Sequence, residues 1–541
     1  MSLNLKAGTS LSSGNRATSA GLTIFFVFVF GPLLFLVPDA VREVADNGPQ
    51  ALLLMLPVGR RLSLLFSTLI YAAGVSICGT VVGFLSAAFF VSRGRRWTRM
   101  TPVLLLAVLP IPPTIHALAW MAGWADVSGW LTAHGFFFPP LRGWFGAVWV
   151  QTMSLIPFSF GICLIALRNF DSLLIDAARM LGDDNRVLLK VALPMSRPAL
   201  ITAAVFLFVM TLSDYAVPSL FSVGVYPLEI FSDFSAENSP ARALLRSVPL
   251  LVITAAVVLS AQSTMRDVAS ETPKGALGTA FRLDLGPWGT GLTVVCLALA
   301  FCCFFVPTFA LCLDVESVSN LVTTVSSAKG AIYTTLLCAG VSALIALIPS
   351  FLWAEGISRF KRMGKVLWAG ALITPAIPGS LFGIGLVYAG NLPFFERLTD
   401  TIVFPVLISV GRFSPWAAIL LYSFRKRIDP VLFDAAEVHN PNPTKGFLKV
   451  VLPMMTPGIL AAAILVGVLA AGELSGTLLV LPPGVDTLIP RIFTYLHYGA
   501  TPHTASLSLV MSWGFLVFFI FLLLLLNKSR PAAEIDNDTS S

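Results

Sequence analysis

Apolar runs separated by short polar breaks dominate the chain. Runs of about 20 residues, enough to cross a bilayer as a helix, lie near 21–38, 62–91, 101–122, 146–167, 198–217, 246–263, 288–312, 331–354, 366–389, 402–423, 456–473 and 505–526. The pattern predicts an all-α polytopic membrane protein of about 12 transmembrane helices. A polar Ser/Thr/Gly-rich tail covers 1–20, a second polar tail 528–541, and a polar stretch at 264–285 links two apolar halves, 21–263 and 286–527. The first run, Leu22 to Val37, exceeds a signal-peptide core and reads as an uncleaved span.

Two of the polar breaks share a local grammar. One runs from Asp171 through Asp176-Ala177-Ala178-Arg179-Met180-Leu181-Gly182 to Leu193-Pro194, the other from Asp429 through Asp434-Ala435-Ala436-Glu437-Val438-His439-Asn440 to Leu452-Pro453. Asp171 and Asp429 suit an N-cap, and Pro430 suits the first helical position. Leu174, Ala177, Ala178 and Leu181 fall on one helical face, as do Leu432, Ala435, Ala436 and His439. Gly182 and Asn440 are residue types that end a helix in the left-handed conformation. Each break therefore predicts a short helix with a flat, alanine-lined face at a membrane surface.

The halves repeat. Ala73-Gly74-Val75-Ser76 recurs as Ala339-Gly340-Val341-Ser342, Ser92-Arg93 as Ser358-Arg359 and Pro112 as Pro378, all 266 residues on. Pro157 matches Pro415 and Asp176 matches Asp434 at 258, and Leu193-Pro194-Met195 matches Leu452-Pro453-Met454 at 259. Offsets that change only inside loops describe two copies of one six-helix unit in the same topology.

Composition narrows the setting. With 56% hydrophobic and 12% charged residues and a mean hydropathy of +0.85, the chain lies outside the soluble range. Most of the 35 Lys and Arg fall beside breaks on one face, which places both termini and both alanine-bearing breaks in the cytoplasm. That bias accounts for the net charge of +7, and no basic run interleaved with aromatics points to nucleic acid. The seven cysteines, at 78, 163, 296, 302, 303, 312 and 338, sit in or beside apolar runs without CxxC spacing and read as free buried thiols.

Catalytic chemistry is not visible. The sequence holds no G-x-x-x-x-G-K-[ST] phosphate cradle, and its five histidines lack metal-ligand spacing, so neither a catalytic residue, a cofactor nor a metal is expected. Two carboxylates are candidates for another role. Asp214 and Glu473 each lie 20 residues past their Leu-Pro proline. A charged carboxylate at mid-membrane costs about 2.5–3.5 kcal/mol, so such a group lines a pathway or gate, or else caps a helix at an interface. Pro112, in Pro110-Ile111-Pro112-Pro113, and its repeat Pro378 either kink their helices for packing or border the same pathway.

The acidic-Ala-Ala-x-x-x-Gly pattern, followed by a hydrophobic-x-Leu-Pro run, resembles the EAA loop of ABC-importer permeases of the type I fold. Two copies between the fourth and fifth spans of each half resemble the fused ferric-iron and thiamine permeases. The resemblance implies a cytoplasmic coupling helix in each half docking into an ATPase subunit. Asp176 and Asp434 would make polar contact, Ala177, Ala178, Ala435 and Ala436 close packing, and Gly182 and Asn440 the turn. It implies two copies of a cytoplasmic ATPase and a periplasmic or lipid-anchored substrate-binding protein as partners, in a bacterial inner membrane. Both copies depart from the family in carrying Asp for the usual Glu, and the second has Asn440 for Gly, with Pro441 and Pro443 added. The stretch from Gly472 to Gly484 also resembles ferric-iron permeases, which favours ferric iron over thiamine or another small solute. The competing expectation is an ion-driven secondary transporter of two six-helix halves. Against it, Ser92-Arg93-Gly94-Arg95-Arg96-Trp97 lacks the Asp of that class's loop.

Overall fold

The computed structural model describes residues 22–23, 25–92, 111–170, 172–180, 182–270, 286–360, 362–429, 431–432 and 443–528. Hydrocarbon leaves backbone N–H and C=O groups no partner but each other, and a helix pairs them within one segment. Every regular element among the described residues is accordingly helical. The first half contains α1 (Phe25–Asn47), α2 (Arg60–Ser92), α3 (Pro113–Ala133), α4 (Gly143–Arg168), α5 (Ser172–Arg179), α6 (Arg197–Leu212), α7 (Tyr226–Glu237) and α8 (Pro240–Ser270). The second contains α9 (Gly286–Asp314), α10 (Lys329–Arg359), α11 (Met363–Ile373), α12 (Gly379–Gly390), α13 (Val403–Arg427), α14 (Leu452–Ala471), α15 (Leu488–His497) and α16 (Thr501–Lys528).

Eight helices are long and apolar enough to cross a membrane, or ten if each of two sharply bent pairs is one span. The expected twelve is therefore not reached among the described residues; the third apolar run is described only from Ile111 onward. α8 continues to Ser270, so the polar stretch beginning at 264 starts as helix. All seven cysteines are free, but Cys78 and Cys312 are exposed on the helix surfaces rather than buried.

Each half is built on a close pair of helices. In the first, Gly83 of α2 lies against Ser159 and the Phe160 backbone of α4, and Ser159 Oγ donates to the Gly79 carbonyl at 2.7 Å. In the second, Ser350 Oγ of α10 donates to the Ser414 carbonyl of α13 at 2.9 Å. Small residues and buried hydroxyls do the joining, as expected where lipid is no less apolar than leucine.

The first helix of each half crosses to the other. Phe25 of α1 stacks on Trp353 of α10 at 3.7 Å, Gly411 of α13 admits the Phe28 carbonyl, and Tyr388 Oη donates to Asp39 at 2.8 Å. Reciprocally, α9 places Cys303 among Met153, Val150 and Leu155, and Cys296 among Phe84 and Phe160. This exchange binds the two halves into one body.

Matched details confirm the repeat at atomic level. Thr68 Oγ1 accepts the Tyr226 N–H at 2.8 Å, tying the start of α7 to α2, and Thr335 Oγ1 accepts the Leu488 N–H at 2.7 Å, tying α15 to α10. A π-helical turn occurs at Leu188–Ala192 and again at Phe447–Val451, immediately before each Leu-Pro. Pro194 and Pro453 lack the N–H that would close an ordinary turn on residues 190 and 449, and a wider turn precedes them.

Candidate functional site

The break at Pro378 comes from its local sequence. Proline offers no N–H and pushes the residue before it out of the helical region; Ile377 is extended at φ −70°, ψ 124°. Pro378 follows at φ −54°, ψ 135°, and the helical axis turns by 91° between residues 363–376 and 379–390. Pro112 has the same extended form, φ −58°, ψ 144°, and likewise starts a new helix, α3. Pro378 marks a broken segment, not a kink within a continuous helix, whereas for Pro112 only the start of α3 is seen, residues 101–110 lying outside the described residues. Their carbonyls are satisfied by the first turns that follow, Pro112 by the Ile115 N–H at 3.0 Å and Pro378 by the Leu381 N–H at 3.0 Å.

These breaks meet the ends of α6 and α14. A Cβ on Gly472, one residue past α14, would stand 3.0 Å from Pro112 Cγ, so the first half's break rests on the second half's helix end. Leu212, the last residue of α6, packs in turn with Ile377 and Leu381 around the second half's break. The four positions singled out in sequence, Pro112, Pro378, Asp214 and Glu473, thus belong to one central region where the halves cross.

Glu473 is fully enclosed. Its carboxylate accepts Arg412 Nη1 of α13 at 2.5 Å, with 0% of the Glu473 side chain and 15% of the Arg412 side chain exposed. It also accepts the Gly476 N–H at 3.1 Å, the Thr477 N–H at 2.8 Å and the Thr477 hydroxyl at 2.6 Å. The backbone donors belong to the start of the short helix Thr477–Val480, so Glu473 caps that helix while neutralising an intramembrane arginine. Gly379 lies against both charged groups, and its carbonyl touches Gly476; any side chain at either glycine would enter the ion pair or the crossing.

Asp214 occupies the matching place past α6 with far fewer partners. Its Oδ1 accepts the Ala216 N–H at 3.0 Å, at the start of the short helix Ala216–Leu220. Its Oδ2 is sealed from solvent and accepts no hydrogen bond. Gln151 of α4 and Arg412 of α13 are within interaction range of the carboxylate. The Tyr215 hydroxyl is within interaction range of Ser475 and Glu473. Gln151 Oε1 and the Tyr215 hydroxyl are also buried without a hydrogen-bond partner, as are both ring nitrogens of His116.

Sequence reasoning missed Arg412, Gln151, Tyr215 and Gly379. Arg412 carried a usable signal: it is the one charge inside the apolar run 402–423, and a lone intramembrane cation calls for a carboxylate on a neighbouring helix.

At the end of the bundle, α5 forms where the first alanine-bearing break predicts a helix. Its outward residues are Leu173, Leu174, Asp176, Ala177 and Met180, with Leu173 74% and Met180 86% exposed. Ile175 is buried and Ala178 packs half-buried beside it, so Leu174 and Ala177 of the predicted face point outward while Ala178 turns inward; Leu181 lies outside the described residues. Arg179 explains the orientation. It donates to Asp184 at 2.9 and 3.4 Å and to Asp176 at 3.1 Å, fastening α5 to the next turn, and this pairing with Asp184 holds its guanidinium above the usual arginine range. Gly182 is not among the glycines with positive φ; its N–H closes the end of α5 on the Arg179 carbonyl instead. In the second break Asp429 accepts the Val431 N–H at 2.9 Å, as an N-cap would. Asp434, Ala435, Ala436 and Asn440 lie outside the described residues.

Residues 79–266 match the family described as binding-protein-dependent transport system inner membrane component. The chain is 21% identical over 523 residues to the Fe(3+)-transport system permease protein FbpB 2 of Haemophilus influenzae, covering 92% of this chain and 97% of that one. It is 23% identical over 506 residues to FbpB 1 of the same organism, covering 87% and 78%. The spermidine/putrescine transport system permease protein PotC of H. influenzae matches at 26% over 192 residues, 35% of this chain and 70% of that one. The family match over residues 79–266, the near full-length likeness to the ferric permeases and the internal repeat agree in making this chain similar to fused, two-copy permeases of binding-protein-dependent transport systems.

Proposed function

We propose that the chain is the complete membrane pathway of an ATP-driven importer, and that its solute is ferric iron. Two copies of a cytoplasmic ATPase dock on α5 and on the equivalent segment at 430–439, and a periplasmic or lipid-anchored binding protein delivers the solute from the other side. ATP-driven closure moves the docking segments, and the π-helical turns at 188–192 and 447–451 pass that motion to α6 and α14. The ends of α6 and α14 carry Asp214 and Glu473, so the same motion reaches the crossing of the broken segments. The observation that carries this reading is the convergence of Asp214, Glu473, Pro112 and Pro378 at one crossing between the halves. Ferric iron is favoured because the two relatives spanning most of the chain are named as ferric-transport permeases, whereas the polyamine permease matches a third of it.

The test is reconstitution with the ATPase and binding protein encoded beside this chain. Uptake of ferric iron should require ATP hydrolysis, and Asp214→Asn should lower uptake at least tenfold while leaving ATPase co-purification intact. Flux driven by a proton gradient without nucleotide would instead establish the secondary carrier. Unchanged uptake by Asp214→Asn would remove Asp214 from the path.

A further inference from the structure

An open cavity of about 730 Å³ lies where α8 of the first half meets the start of α11 of the second, lined by Arg266, Arg362, Lys365 and Val366. The two helices are joined one turn away, where Trp368 Nε1 donates to the Gln262 carbonyl at 3.0 Å. Arg266 is held in place by contacts to the Tyr422 hydroxyl at 3.4 Å and the Ile357 carbonyl at 3.5 Å. Neither partner carries a negative charge. Glu355, the acidic residue of the same end of α10, is already shared by Arg359 and Arg425, each at 3.3 Å. Asp267 follows Arg266 on α8 but does not line the cavity.

Three cations therefore face one space with no carboxylate among the described lining residues. Next to it, Met363 and Val366 are 54% and 64% exposed. The cavity is at the end of the bundle that carries the docking segments, since Tyr422 lies one and a half turns before the close of α13, which leads into the break at Asp429. Cations gathered around a pocket between membrane helices, with apolar side chains beside them, fit an anion that brings its own hydrocarbon.

We propose that this cavity binds the phosphate of an anionic phospholipid headgroup, with the acyl chains along Met363 and Val366. Arginine's planar fork suits phosphate oxygens, and Lys365 adds a point charge. Because Arg266 comes from one half and Arg362 and Lys365 from the other, the lipid fastens the halves together where α8 crosses α11.

The experiment uses the full chain in detergent and follows thermal unfolding with phosphatidylglycerol, cardiolipin, phosphatidylcholine or inorganic phosphate added. Anionic lipid should raise the midpoint of the wild type by about 2–4 °C, and phosphatidylcholine and inorganic phosphate should not. Arg362→Gln with Lys365→Gln, both exposed positions that the fold does not need, should abolish the rise while leaving the midpoint in phosphatidylcholine unchanged. Arg362→Lys should keep most of it. An equal rise in wild type and the double variant would overturn the site, and an equal rise with inorganic phosphate alone would overturn the lipid as its source.

Discussion

Asp214 and Glu473 hold matching places in the two halves, yet one is saturated and the other is not. Glu473 accepts from an arginine, two backbone amides and a hydroxyl; Asp214 accepts from one backbone amide and leaves a sealed oxygen without a donor. The loop after α14 is thereby pinned to α13, whereas the loop after α6 retains unspent hydrogen-bonding capacity in Asp214, Gln151 and Tyr215. A duplicated unit has been divided into a fastened side and an open side. If the crossing is the pathway, the proposed role in passage falls to Asp214 and the proposed role of rigid support to Glu473.

The largest expected effect follows from breaking the fastened side unevenly. Arg412→Met leaves a carboxylate buried with no cation beside it, a change that costs about 3–5 kcal/mol in proteins. Combining it with Glu473→Gln removes the uncompensated charge and should restore most of the stability, since replacing a buried pair by neutral groups is often near neutral. Thermal unfolding of the two single variants and the double gives the coupling directly. A single Arg412→Met variant as stable as wild type would erase the distinction between the sides.

Asp214→Asn should be the smaller perturbation. Asparagine keeps an acceptor for the Ala216 N–H and can satisfy Gln151, so stability should stay within about 0.5–1 kcal/mol. Glu473→Gln, which strands Arg412, should cost about 2–3 kcal/mol. Equal losses in unfolding experiments would mean that both carboxylates serve the fold alone.

Much of this arrangement is legible in the chain before any coordinates. The twofold recurrence of Pro112 as Pro378 and of Asp214 as Glu473 marks the positions, because the spacing of apolar runs fixes where each span ends. The sequence does not reveal which carboxylate is paired. That depends on α13 presenting Arg412 to the end of α14, a contact between residues 61 apart, and the equivalent position of the first half, Ser154, carries no charge. The inward turn of Ala178 on α5 is equally hidden. Its alanines suggested a face centred on Ala177 and Ala178, but Ile175 is the larger apolar group, and its burial turns Ala178 inward and leaves Ala177 out. The crossing of α1 and α9 to opposite halves leaves no periodic trace, since the apolar runs at 21–38 and 288–312 read as apolar on all faces.

The same contrast between the halves extends to the two alanine-bearing segments, where the effect is smallest. Arg179 bridges Asp176 and Asp184, while the matching residues of the second half are Glu437 and Asn442, which cannot form that clasp. Arg179→Ala should weaken α5 by about 0.5–1 kcal/mol, the range of a partly exposed ion pair, without lowering the unfolding midpoint of the whole protein. Hydrogen exchange across 172–187 should quicken several-fold, and Glu437→Ala should leave exchange across 430–445 as it was. A matching acceleration in both segments would show that the clasp holds nothing and that the two segments behave alike. A change confined to the first would leave one stiff segment and one compliant one, with the stiff segment on the half that carries Asp214.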